Sequence, residues 1–116
     1  MTYQTTSKAA ATVLSVFTLS ATSTGAWAQD ADKVFAGANR RAGMALHQEK
    51  NCAACHAQRL GGDGSSIYTR IDRKVTTPTQ LLAQVALCNT QLGSAMFPED
   101  ERDVAAFLNH DYYHFK

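Results

Sequence analysis

An all-α fold, three main helices with one large loop, is what the sequence predicts. Apolar residues recur at three- and four-residue steps in three separate segments. No stretch alternates apolar and polar residues as a strand does, and there is no internal repeat. A chain of 116 residues has room for one domain. Its net charge of +1 lacks the basic footprint of a nucleic-acid binder.

Taken in order, residues 1–28 read as a secretory signal peptide. Lys8 is the single charge of a short polar start, and an apolar stretch through Val13, Leu14, Val16, Phe17 and Leu19 follows. Ala26-Trp27-Ala28 then fits the small-x-small cleavage rule. That stretch is too short, and too interrupted by Ser and Thr, to persist as a membrane span. Cleavage places residues 29–116 in the periplasm as one domain without a membrane anchor. Without Lys8, the basic residues balance the 10 acidic ones. All three cysteines, Cys52, Cys55 and Cys88, remain in the exported part, where disulfides can form. A domain this small buries little core and needs a staple.

Residues 30–50 form the first predicted helix, with Val34, Ala38, Ala42, Ala45 and Leu46 on one face and Gly43 allowing close approach of another helix. Residues 57–77 hold no period. Gly61, Gly62, Gly64 and two serines, then Arg70, Arg73 and Lys74, mark a long surface loop. Thr77-Pro78 is a helix start and Gly93 a stop. Between them Leu81, Val85, Cys88 and Leu92 form one stripe, which turns Cys88 toward the core. The last helix begins near Pro98, with Glu99, Asp100 and Glu101 at the positive end of its dipole. Beyond Phe107, the aromatic end at Tyr112, Tyr113 and Phe115 requires a packing partner, either its own core or a second subunit.

Cys52-Ala53-Ala54-Cys55-His56 carries the chemistry. It is the c-type haem attachment signature: two thiols add to the two vinyl groups, and the following imidazole reaches the iron. Covalent haem c would also supply the missing core. Three alternatives compete. A redox dithiol wants a strand–helix setting. A zinc site wants a second ligand pair at regular spacing. A structural disulfide leaves His56 unexplained.

On these residues the chain from Asp30 to Phe115 resembles a small class I cytochrome c. Gly43-x-x-Leu46 and the segment from Asp103 to Leu108 are similar to that family's first and last helices. The resemblance implies a cytochrome c-like fold around covalently attached haem, those helices crossing near Gly43 and Phe107, with His56 as proximal iron ligand. It also implies a methionine as sixth ligand, and Met96 stands on the corresponding loop, though closer to the last helix than is usual in the family. The segment from Cys88 to Phe97 and the tail from Leu108 to Phe115 resemble the narrower His/Cys-ligated NaxLS-type group. That likeness implies Cys88 as distal ligand, with Met96 as the alternative. A thiolate would make the reduction potential low. The other reading of Cys88, and of Met96, is core packing. His47, His110 and His114 read as surface or tail histidines, and the Arg70–Lys74 cations as a solvated face or as partners of propionates or of an acidic redox protein.

The expected function is periplasmic electron transfer with a redox partner protein. The NaxLS-type resemblance adds an alternative, binding or sensing of NO or CO by iron that Cys88 releases on reduction, and a homo- or heterodimer. No distal acid–base pair points to an enzyme.

Overall fold

Local capping divides the chain into short helices that the long-range packing then assembles. The computed structural model describes residues 30–116, and the expected signal peptide lies outside them. Among the described residues there are six α-helices, one π-helical segment and no strand. They are α1 (Ala31–Val34), α2 (Arg40–Glu49), α3 (Ala53–Leu60), α4 (Ser66–Thr69), α5 (Pro78–Leu92) and α6 (Pro98–Leu108). The π-helical segment, Asn109–Tyr113, follows directly. None of the described helices is long and apolar enough to cross a membrane.

Two expectations need correction. The single helix over residues 30–50 is two, because the chain turns at Gly37 (φ +74°). It restarts at Asn39, whose Oδ1 accepts from Ala42 N–H at 3.1 Å as an N-cap. The loop over residues 57–77 is shorter than expected, since α3 runs on to Leu60 and α4 forms a single turn. The period was missed because both pieces are too short to show one.

α5 follows its local signals. Thr77 Oγ1 accepts from Gln80 N–H at 3.2 Å, Pro78 fills the first turn, and Gly93 closes the helix in the left-handed conformation. At the start of α6, the Asp100 carboxylate accepts from Phe97 N–H at 2.9 Å.

α2 lies across α6, and Gly43 makes the crossing possible. A Cβ there would run into the Asp103 carbonyl and stand 2.8 Å from Val104 N. Asp103 also ties down the start of α2, its carboxylate accepting from Asn39 N–H at 2.6 Å. One turn beyond Gly43, the His47 ring rests 5.4 Å from Phe107. The core is formed by α5 and α6, chiefly Leu81, Val85, Val104, Phe107 and Leu108, with Met96, Tyr68 and Tyr113 added from the connecting segments.

The C-terminal aromatics pack on this same domain. His114 N–H donates to Asn109 O at 2.7 Å, the wide turn that lets adjacent Tyr112 and Tyr113 both reach Tyr68. Asn109 then clamps Phe115 through both its backbone groups.

Candidate functional site

The cysteine–histidine motif sits on α3, and backbone holds that helix on two sides. Cys52 N–H donates to His47 O at 3.1 Å, so α3 hangs from the end of α2. Gly64 (φ +80°) presses the following loop onto it, and a Cβ there would stand 2.6 Å from Ala53 O and 3.0 Å from His56 Cβ. Both the backbone angle and the space require glycine at this point. Asp63 stiffens the turn by accepting from Ser65 N–H and Oγ–H at 2.9 and 2.7 Å.

All three cysteines are free thiols; Cys55 is exposed, while Cys52 and Cys88 are half-buried. Burial first, and the neighbouring Cys88 side chain second, push the Cys52 thiol up. Burial, chiefly, also pushes the Tyr68 and Tyr113 phenols up, with the Arg73 cation opposing it at Tyr113. Gln84 Nε2 stands 3.5 Å from Cys88 Sγ. The predicted apolar stripe of α5 is only half buried. Leu81 and Val85 enter the core, whereas Cys88 is at its margin and Leu92 is exposed.

His56 lies beneath Tyr68, its Nδ1 3.4 Å from the Tyr68 hydroxyl. Burial, then the Arg59 guanidinium, lowers its pKa below the ordinary histidine value, so at neutral pH the imidazole is uncharged. With Nδ1 engaged, Nε2 is the nitrogen left for a metal.

Met96 is buried in the core. Asn89 holds its backbone, donating to Met96 O at 3.0 Å and accepting from Met96 N–H at 3.1 Å. Its amide also donates to Glu101 at 2.7 Å, and Ser94 Oγ donates to it at 2.8 Å.

The remaining candidates separate. His110 and His114 are exposed, as expected, and His110 pairs with Asp111 at 2.6 Å. His47 is not a surface histidine: it packs half-buried between Tyr68 and Phe107. The cations of the loop do not act together either. Arg70 is bidentate to Asp72 at 2.7 and 2.6 Å. Arg73 covers the Tyr113 and Phe115 rings at 5.2 and 6.0 Å.

Sequence reasoning missed Tyr68 altogether. Nothing local marks it, since it is one tyrosine in a four-residue helix. A polar cleft of about 350 Å³ opens beside it, lined by His47, Asn51, Asp63 and Tyr112 among others. A shallower groove of about 270 Å³ runs along α5 past Lys74, Gln84 and Leu87.

The donor set fits a covalently attached c-type haem. Two unpaired thiols stand three residues apart, with a neutral imidazole next to the second. The helices bearing the cysteines also leave apolar surface uncovered, Leu60 at 41% and Leu87 at 50% exposure. Among the described residues there is no strand to set a redox dithiol and no convergence of three His, Cys, Asp or Glu for zinc. No protein-family model, curated protein or solved structure matches the chain.

Proposed function

We propose that this chain is an exported, periplasmic monohaem c-type cytochrome acting in electron transfer, at low potential and with His/Cys axial ligation. One observation carries it: Cys52-x-x-Cys55-His56 in attachment spacing, with both thiols unpaired. Cys52 and Cys55 bind haem c as thioethers, and His56 holds the proximal iron position. Cys88, half-buried on α5, would be the distal ligand, as the NaxLS-type resemblance implies. Met96 is the alternative ligand, disfavoured by its place in the core and by the Asn89 clamp on its backbone. Once bound, the group supplies a one-electron iron couple, which an anionic sulfur ligand biases toward the ferric state. The protein's part is to fix the imidazole, to cover the cofactor with apolar side chains such as Leu60 and Leu87, and to pass electrons to a partner protein.

A second reading has one observation in its favour. Cys88 is only half-buried at the margin of the core, where a thiolate ligand would be able to give way on reduction and admit NO or CO, as the NaxLS-type resemblance implies.

Expression of the full chain in a host that attaches haem c, followed by mass and haemochrome spectra, tests the proposal. The wild type should carry one covalent haem, and the double variant Cys52→Ala, Cys55→Ala none; a haem-free wild type overturns the reading. The ferric spectrum should change in Cys88→Ala and persist in Met96→Ala. An unchanged Cys88→Ala spectrum sinks thiolate ligation. Ready binding of CO by the ferrous wild type would favour the second reading.

A further inference from the structure

We propose that Tyr68 is a positioning residue for His56, linking that iron ligand through its hydroxyl to His47; this rests on the haem reading above. The Tyr68 hydroxyl stands 3.4 Å from His56 Nδ1 and 3.1 Å from His47 Nε2. The 3.4 Å contact is at the long end of the hydrogen-bond range. Three parts of the chain fix the hydroxyl where it is. The Tyr68 ring is buried against Tyr112 and Tyr113, with centroids at 5.0 and 6.0 Å. His47 is held by Phe107 on α6. The His56 ring meets Tyr68 edge-on, at 5.6 Å and 84°.

The proton order follows from the ligand geometry. With His56 Nε2 given to iron, Nδ1 carries the ring proton and donates to the Tyr68 oxygen. Tyr68 O–H then donates to His47 Nε2, and His47 keeps its own proton on Nδ1. An acceptor on the far nitrogen of a metal-bound imidazole fixes the ring and makes it a stronger donor, which favours ferric iron. The bridge therefore lowers the reduction potential.

The test uses the haem-bearing full chain. Tyr68→Phe keeps the ring and removes the oxygen. Its potential should shift upward and its His56 Nδ1–H should exchange faster with solvent by NMR, with haem content and helical circular dichroism unchanged. His47→Phe should shift the potential the same way by less, and it decides the matter alone if Tyr68→Phe fails to fold. Covalent haem on the wild type, with potential and exchange unchanged in the variants, overturns the role of Tyr68 and leaves the haem reading standing. A wild type without covalent haem overturns both.

Discussion

The helix crossing that seats His47 is open to a single-atom test, Gly43→Ala. The new Cβ would stand 2.8 Å from Val104 N and closer still to the Asp103 carbonyl. Ordinary contact is about 3.5–4.0 Å, so the backbones must part by roughly 1.5 Å or more to clear the Asp103 carbonyl. Overpacking against side chains costs about 1–3 kcal/mol. Here the obstacle is backbone, which cannot change rotamer, so about 3 kcal/mol applies. Alanine recovers at most about 1 kcal/mol of helix propensity. The net loss of about 2 kcal/mol corresponds to a Tm lower by about 8–16 °C for a domain of this size, read by circular dichroism. Gly37→Ala is the control, because its φ of +74° carries strain but nothing stands within 4 Å. It should lose only about 1 kcal/mol. Equal losses in the two variants, or a Tm for Gly43→Ala at or above wild type, would refute close backbone contact at the crossing.

Three further outcomes follow from the same contacts. Asn89→Ala strips partners from Met96 N–H, Met96 O, Ser94 and Glu101 and should lower stability by about 2–3 kcal/mol, seen as a lower urea midpoint at constant slope. Met96→Ala empties a core position and should cost about 2–5 kcal/mol while leaving the ferric spectrum alone; a changed spectrum would make Met96 a ligand. The third concerns acid. Burial first, then His56, holds His47 below the ordinary histidine value, so the unfolded chain takes up that proton before the folded one does. The contribution is whole above about pH 6.5 and is lost as pH falls through the lower folded value. Urea midpoints on either side of that range should fall less in His47→Gln than in wild type, and parallel curves would contradict it.

What could be seen in advance, and what could not, divides by distance along the chain. Thr77-Pro78 and Gly93 bound α5 because a cap needs only neighbours within four residues. The turn at Gly37 was hidden, because alanines on both sides keep a helical period that the turn interrupts. α4 was hidden because four residues cannot display a period. At the site, Cys52, Cys55 and His56 were legible because the attachment motif is a spacing of consecutive residues. Tyr68 was not: its hydroxyl bridges partners 12 and 21 residues away. His47 was misplaced for a related reason, since Gly43 one turn earlier marks its face but does not say what lies across it.

Consecutive residues thus suffice for an all-α chain, its caps, and two thiols with a histidine in attachment spacing. Helical hydrogen bonds and caps close within a few residues, so no distant partner is needed to form them. Only the folded chain decides that Met96 and Tyr68 enter the core, that Cys88 stays at its edge, and that His47 and His56 meet one tyrosine. Those outcomes depend on how closely α2 approaches α6, and on a π-helical turn that brings two tyrosines back. Such distances between remote segments are set by packing and appear in no local pattern.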